Sequence, residues 1–337
     1  MTPALPRVLT SILNYRTPEM TIRAVAAART AMEGIAGEIL VVDNASGDGS
    51  FEVLRDHVAT RGWDRDDRVR VLASPVNGGF GAGHNIALRA GLSDGARPDY
   101  LYLLNSDAFP AADAIATLLK EMEAERGIGI AGSYIHGTDG AAHCTCFRFP
   151  SILGEFESAL RFGPVTRLLK SHVVAMEIPD RTIDLDWTAG ASMMLRRSML
   201  DRIGGFDETF FLYFEETELC RRARDAGWRV AYVPASKVAH VGSASTGMKR
   251  WSRIPGYYLD SRLRYLTKTH GRAYAACATL AHAAGAGLDG IRGLAQRRAR
   301  TRPPRYTRDL LIHHLRALAG PGRRHPAPSG RPAPNES

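Results

Sequence analysis

The chain has 337 residues, 45% hydrophobic and 23% charged, which suits a soluble globular fold of one large domain with or without an appendage. No stretch approaches the roughly 18 uninterrupted apolar residues of a membrane-spanning helix, and "MTPALPRVLTSILNY" lacks the charged-then-apolar layout of a signal peptide, so neither is expected. The net charge of +9 is local: from Arg250 onward 17 Lys/Arg face 4 Asp/Glu, near +13, which leaves about −4 up to Lys249 and gives no argument for a nucleic-acid partner.

"RVLTSILNY" reads as a strand. Thr17 follows as a helix N-cap with Pro18 at the first helical position, and that helix is expected to run toward Gly34. "EILVVDN" is a second strand, with an unbroken apolar centre that predicts burial on both faces. "ASGDGS" turns the chain into the helix "FEVLRDHVA", and "VRVLAS" is a third strand. "PVNGGFGAG" is a loop before the helix "HNIALRAGL". "YLYLLN" is a fourth strand, after which Pro110 is expected to open a helix reaching about Glu125, and "IGIAGS" is a fifth. Five strands alternating with four helices predict an α/β fold, a mostly parallel Rossmann-like sheet with helices on both faces.

The second half is less regular, and residues 133–182 give few signals. "LDWTAGASMMLRR" reads as strand, turn, strand. "GGFDETFFLYFEETELCRRARDAGW" has a Gly-rich entry, an aromatic run and a helix from about Glu215 to Ala226, with Gly227 as a left-handed cap. "RVAYVP" is a last strand. From Tyr257 the pattern is helical and basic, and from about Gly320 its Pro, Gly and Arg content predicts disorder.

In wound parallel sheets ligands sit beyond the carboxyl ends of the strands. Asn14, Tyr15, Asp43, Asn105 and Asp107 all fall at such ends, a pattern that points to a site more than to solvated turns. "GGFGAG" is not a dinucleotide fingerprint, because the last glycine required by G-x-G-x-x-G is His84 and the loop follows the third strand, not the first. A nucleotidyltransferase would carry its Gly-rich loop after the first strand, where "NYRTPEM" has no glycine. The loop is read as backbone passing close to a ligand or another chain, with a tight turn as the alternative. "HCTC" has no second Cys/His pair at zinc spacing, so Cys144, Cys146, Cys220 and Cys277 read as reduced structural thiols.

Taken in order, "SILNYRT", "VVDNASGDGS", "NGGFGAGHN", "LLNSDAFP", "GASMMLRRS", "GGFDETFFLYFEETELCRRARDAGW" and "AHVGSAS" resemble the family 2 inverting glycosyltransferases, in particular the rhamnosyltransferase-like group that builds bacterial surface polysaccharides. The resemblance covers about residues 7–245. It implies a GT-A fold over residues 1–250, with a nucleotide-binding half at 7–132 and an acceptor and catalytic half at 133–250. Residues 251–319 would be a basic helical extension and 320–337 a disordered tail.

The resemblance further implies a UDP- or dTDP-sugar donor, a glycan or lipid-linked acceptor, and Mg²⁺ or Mn²⁺ as cofactor. "LLNSDA" stands where the family has its DxD-type motif, with Asn105 in place of the first acid. Asp107 is then the expected metal ligand, since a hard cation needs few protein oxygens when phosphates supply the rest. Asn105 would bond a ribose hydroxyl. His240 matches a position that offers a second ligand in some members, the alternative being a loop His bound to a carbonyl. Asp43 would accept the N3–H of a uracil or thymine, Tyr15 would lie against the base, and Asn14 and Asn77 complete the donor set.

An inverting transfer needs a general base for the acceptor hydroxyl. The family's acidic pair at a helix start corresponds to Glu215 and Glu216, the second acid being the base; the alternative is a simple acidic first helical turn. Trp187, Gly190 and Ala191 lie where the family's acceptor-side strand passes the sugar, with Gly190 permitting close approach and Trp187 either stacking on the sugar or filling the core. The uncharged run Ala273–Leu288, preceded by Arg262, Arg264, Lys268 and Arg272, would lie against anionic headgroups or form an ordinary helical cap. The expected location is cytoplasmic, either free or peripheral on the inner face of the cytoplasmic membrane. Two other classes are a different nucleotide-sugar enzyme on the same fold and a non-catalytic sugar-nucleotide binder; the presence of both Asp107 and Glu216 argues against the latter.

Overall fold

The structure is a computed structural model that describes residues 5–65, 68–242, 253–297, 303 and 305–319. The expected disordered tail from Gly320, the end of "AHVGSAS" and the junction at residue 250 lie outside the described residues.

The first half alternates as expected: β1 (Val8–Asn14), α1 (Pro18–Ala31), β2 (Gly37–Asp43), α2 (Ser50–Thr60), β3 (Val69–Ala73), α3 (Phe80–Ala90) and β4 (Tyr100–Asn105). β3, β2, β1 and β4 lie side by side and parallel. Their side chains sort by parity. Val8, Ile12, Tyr102 and Leu104 join a core with α1 and α2 on one face, while Leu9, Leu101 and Leu103 join a second core with α3 on the other. Both faces are therefore dry, which is why these strands are continuously apolar.

Two local expectations are corrected. Pro110 does not open a helix: it ends a short strand, β5 (Ala108–Pro110), and α4 (Ala114–Ala124) starts four residues later. Thr17 precedes α1 but makes no side-chain cap; its hydroxyl reaches Asn14 and Ser106 instead.

After α4 the chain continues through β6 (Ile128–His136), β7 (Ala142–His143), β8 (Cys146–Phe147), α5 (Ile152–Leu160), α6 (Gly163–Leu168), β9 (Ile183–Asp184), β10 (Trp187–Thr188), β11 (Ser192–Arg196), α7 (Arg197–Ile203), α8 (Glu215–Asp225) and β12 (Arg229–His240). The sheet order is β3-β2-β1-β4-β11-β6-β12-β5. The fifth predicted strand, β6, is thus not the neighbour of β4. β11 takes that slot and runs antiparallel to both; its residues Ser192–Leu195 are buried on both faces, so a central position is the one that satisfies them. β12 outruns "RVAYVP": after an irregularity between Val233 and Lys237 it resumes its pairing with β6 and continues to His240, with Val238–His240 pairing antiparallel with β5 on the other side.

α9 (Gly256–His270), α10 (Arg272–Ala295) and α11 (Tyr306–Ala319) complete the chain. They form a C-terminal helical extension that packs against the body. Tyr265 and Leu266 of α9 share a third core with Phe210 and with Ala275 and Ala278 of α10. α10 lies along α5, so close that a Cβ on Gly285 would overlap the carbonyl oxygen of Phe156.

Candidate active site

The parallel register brings the predicted strand ends together. Asn14 of β1 is paired with Asp43 of β2, and Leu13 beside it with Asn105 of β4. The Asp43 carboxylate accepts bonds from the Asn14 side-chain amide (2.7 Å) and from the Ser46 hydroxyl (2.5 Å) and backbone N–H (3.1 Å). Asn14 is fully buried, and its own carbonyl oxygen accepts from Thr21 at 2.7 Å. Its amide is thus taken up by the protein: Asn14 positions Asp43 and does not itself present a group for a ligand. Tyr15 is half-buried beside the Arg16 guanidinium, 5.1 Å from its ring centre. Asn77 accepts from Asn44 (2.9 Å) and from the Gly79 N–H (3.0 Å), so it shapes the Gly-rich loop.

The pairing of β12 with β5 sets His240 opposite Ala108 and so next to Asp107. His240 Nε2 lies 3.0 Å from Asp107 Oδ1 and 3.3 Å from the Asn105 amide nitrogen. That is hydrogen-bond distance; the carboxylate and the imidazole are both ligands that a divalent cation accepts, so these two residues could hold one together with a diphosphate. Among the described residues no group of three or more His, Cys, Asp or Glu forms a complete cage. An ion here would draw its remaining ligands from phosphate oxygens and water, as hard cations do at diphosphates.

Glu215 and Glu216 begin α8 behind a strained turn. Tyr213 and Phe214 both adopt left-handed backbone, at φ 71° and 68°, which L side chains resist. Arg16 and Ala45, just beyond β1 and β2, do the same at 57° and 54°. Strain of this kind persists where surrounding contacts hold it and gathers at functional sites. Here α9 holds it: Ser261 donates to the Leu212 carbonyl at 3.0 Å, and Tyr258 and Tyr265 pack edgewise and tilted on Phe214.

The two acids stand in different surroundings. Glu215 is buried, only 1% exposed; loss of water and the nearby Glu216 push its carboxyl well up. Glu216 lines a cavity of about 270 Å³ with Trp187, Tyr213, Tyr258 and Tyr306. Burial raises its carboxyl to about 7, and its Oε2 has no protein partner. A carboxyl so poised can take a proton at neutral pH.

Trp187 stacks on Phe147 at 4.1 Å, donates to the Arg148 carbonyl at 2.9 Å and still borders the cavity. Gly190 is explained differently from expectation: a Cβ there would sit 2.8 Å from the Phe80 ring, so the room it leaves is filled by this protein's own side chain.

Residues 3–174 match the family described as "Glycosyl transferase family 2", and residues 100–278 match "Glycosyl transferase family group 2". The chain is a family 2 glycosyltransferase. It is 28% identical over 244 residues to the N-acetylglucosaminyl-diphospho-decaprenol L-rhamnosyltransferase of Mycobacterium tuberculosis, covering 69% of this chain and 75% of the relative. It is 30% identical over 193 residues to the rhamnosyltransferase WbbL of Escherichia coli K12, covering 56% and 70%. A mannosyltransferase of Pyrobaculum calidifontis, solved with GDP-Man and Mn²⁺, shares its fold with a TM-score of 0.55 and 18% identity over 95% of this chain and 82% of that one. GalNAc-T7, solved with UDP, GalNAc and Mn²⁺, does so with 0.55 and 13% over 94% and 58%. The fold is of the GT-A type.

In this glycosyltransferase the sequence reading missed a buried cluster on the far cavity wall. Arg262 of α9 is 2% exposed, and its Nε donates to Glu155 Oε1 of α5 at 3.1 Å. His282 of α10 meets Glu155 Oε2 through Nδ1 at 3.0 Å. The available signals were a lone His in the uncharged run Ala273–Leu288 and Arg262, read among the basic residues that would meet headgroups; its burial and pairing with Glu155 rule out that place for it, and nothing local marked Glu155. The cysteines are free. Cys146 and Cys220 sit in the core, and burial pushes both thiols up to about 12.

Proposed function

We propose that this glycosyltransferase moves a hexosyl or deoxyhexosyl unit, rhamnose in the first instance, from a dTDP- or UDP-sugar to a glycan or lipid-linked acceptor, with inversion, in the synthesis of a bacterial surface polysaccharide. The observation that carries the reading is Glu216: a desolvated carboxyl on the wall of a cavity, on the same domain as the strand-end cluster of Asp43, Asn105, Asp107 and His240. The names of the relatives favour rhamnose, and one of them favours an acceptor of the sugar-diphospho-polyprenol type.

Asp43, braced by Asn14 and Ser46, accepts the N3–H of the pyrimidine on its remaining lone pair, and Tyr15 covers the base. Asn105 bonds the ribose. Asp107 and His240 would hold a divalent ion, Mg²⁺ or Mn²⁺, which when bound would stabilise charge on the departing diphosphate. Glu216 accepts the proton of the acceptor hydroxyl as that oxygen bonds to the anomeric carbon and the bond to the diphosphate breaks on the opposite face. Glu215 stands next to it, and its own burial together with the Glu216 charge favours the protonated form of that second acid.

The acceptor side favours work at a membrane surface. Among the described residues no helix is long and apolar enough to cross a membrane. The outer faces of α10 and α11 expose Leu280, Leu288, Ile291, Leu294, Leu315 and Leu318 on a segment of strongly basic charge. That combination suits an anionic surface, with the inner face of α10 serving as the cap.

The test is a thermal-shift panel of dTDP- and UDP-sugars with and without Mn²⁺, followed by product analysis of the anomer. A donor at about 100 times its dissociation constant adds about 2.7 kcal/mol of apparent stability. A panel in which no nucleotide sugar shifts the protein refutes the donor assignment.

A further inference from the structure

β12 carries extra residues on its way to Asp107. Val230–Val233 pair in register with Ile130–Ser133 of β6, yet the next β6 residue, Tyr134, is paired with Lys237. Pro234, Ala235 and Ser236 therefore have no counterpart on β6. Pro234 starts the interruption, since it has no N–H to give the ladder. Were these three laid into regular strand at about 3.3 Å per residue, His240 would overshoot Ala108 by roughly 10 Å. Taken up in the bulge, they leave Val238–His240 opposite Ala108–Pro110, and the Val241 N–H donates to the Asp107 carbonyl at 3.0 Å.

A buried hydroxyl holds the bulge. Ser236 Oγ donates to the carbonyl of Ala114, the first residue of α4, at 2.9 Å, and lies 2.8 Å from Ser133 Oγ. Ser133 Oγ is 2.7 Å from Ser192 Oγ of β11, which is 2.7 Å from the Tyr102 hydroxyl of β4. The proton directions follow. A carbonyl only accepts and a hydroxyl has one proton, so the proton of Ser236 goes to Ala114 and Ser133 donates to Ser236. By the same count Ser192 donates to Ser133, and Tyr102 to Ser192. All four residues are buried, and a buried hydroxyl without a partner is costly. A bulge of another shape would leave the Ser236 hydroxyl and the Ser133 proton unmatched in the core, so the chain of hydroxyls selects this one.

We infer that Ser236 is the positioning residue for His240: its two hydrogen bonds fix how much chain the bulge takes up, and so set the imidazole 3.0 Å from the Asp107 carboxylate. A slip of one residue would move His240 by about 3.3 Å and turn it to the other face of the sheet. The inference rests on the reading of Asp107 and His240 as ligands of a divalent ion. Ser236 acts through the strand and contributes no ligand of its own.

The experiment measures Mn²⁺ binding to the full chain with dTDP or UDP present, from the loss of the free-ion EPR signal and with nucleotide alone as the reference. Amide exchange of residues 237–241, followed by mass spectrometry without metal, reports the strand directly. Ser236→Ala removes both bonds at the bulge. Tyr102→Phe cuts the far end of the same chain and leaves both in place, so it controls for a loosened core. Ser236→Ala should bind Mn²⁺ about tenfold more weakly, the scale of losing a group that orients a metal ligand, and exchange faster at 237–241. Tyr102→Phe should show neither change, although both variants melt below the wild type. If Ser236→Ala does not fold, Ser133→Ala takes its place; it removes one of the two bonds, and the loss is about threefold. Wild-type Mn²⁺ affinity or wild-type exchange in the folded serine variant overturns the inference. An equal loss in Tyr102→Phe does so too, because the effect would then be one of general core stability. Failure of the metal reading looks different: the wild type and Asp107→Ala would take up Mn²⁺ alike, which removes the ligand pair on which the inference rests.

Discussion

Gly79 and Phe211 meet backbone to backbone. A Cβ on Gly79 would coincide with the Phe211 carbonyl oxygen, and the N–H of the next residue, Phe80, donates to that oxygen at 3.0 Å. Six residues further along, Asn85 clamps Phe206, accepting from its N–H and donating to its carbonyl, both at 2.9 Å. The motif "NGGFGAGHN" is therefore the dock for the segment that carries Glu216. The close approach read from its glycines is to this chain's own backbone.

Gly79→Ala should destabilise the protein by at least about 2–3 kcal/mol, because φ of +87° and the Phe211 carbonyl both oppose a side chain. Transfer by the surviving folded fraction should also fall, since the turn before Glu216 must shift. Chemical denaturation and active-fraction kinetics measure the two effects. A variant as stable and active as the parent would mean that the dock is dispensable.

Asp107→Ala should abolish transfer, a loss beyond the roughly 10²-fold typical of an outer-shell metal defect, and it should make donor binding indifferent to Mn²⁺. His240→Ala should weaken the same metal dependence in smaller measure. Donor thermal shifts with and without the ion decide it: an unchanged metal requirement in Asp107→Ala removes that residue from the ion.

Glu216→Gln should lower turnover by roughly 10²- to 10⁴-fold with donor affinity nearly unchanged, and Glu215→Gln should do less. The reverse order would move the base to Glu215. For the wild type, kcat/KM should rise with pH through an acidic limb near 7, since the base works only when deprotonated.

Stability should run the other way. The folded carboxyl of Glu216 titrates near 7 against an ordinary value of 4.5, so the folded state binds the proton more tightly than the unfolded chain. That contribution is complete below pH 4.5 and is lost as pH rises through 7. Glu216→Gln should therefore melt at a higher temperature than the wild type at pH 8, with the difference shrinking toward pH 5. Parallel melting curves for the two proteins across that window would show the carboxyl to be unperturbed.

The full chain should co-sediment with anionic vesicles and be released by salt, because the Debye length falls to about 3 Å at 1 M. Truncation is a poor control, since α9 supplies Tyr265 and Leu266 to the core. Replacing the exposed Arg264, Arg272, Arg305 and Arg316 by Gln keeps the packing. At about 1 kcal/mol for each basic residue near the surface, the fourfold variant should bind far more weakly. Equal binding by both proteins would leave the arginines out of the attraction.

Periodicity and strand-end chemistry were enough to place β1 to β4, their helices, and Asn14, Asp43, Asn105 and Asp107 along one sheet edge. Parallel strands joined by short crossovers must present their C-terminal ends together, so order along the chain already implies neighbourhood in space. The acidic pair at the start of α8 was legible for a similar reason, a local motif with a local partner. What sequence order could not supply was set by long-range packing. β11 entered between β4 and β6 because it is apolar on both faces, a property that names a central slot without saying which. His240 reached Asp107 only because β12 bends and adds to β5. The basic C-terminal helices looked separate by charge, yet their apolar inner faces close the third core, support the strained Tyr213–Phe214 turn, and bring Arg262 and His282 to the buried Glu155. The contacts with Glu155 join residues more than a hundred positions apart and those with the turn join residues more than forty apart, and no periodicity within any one segment encodes them.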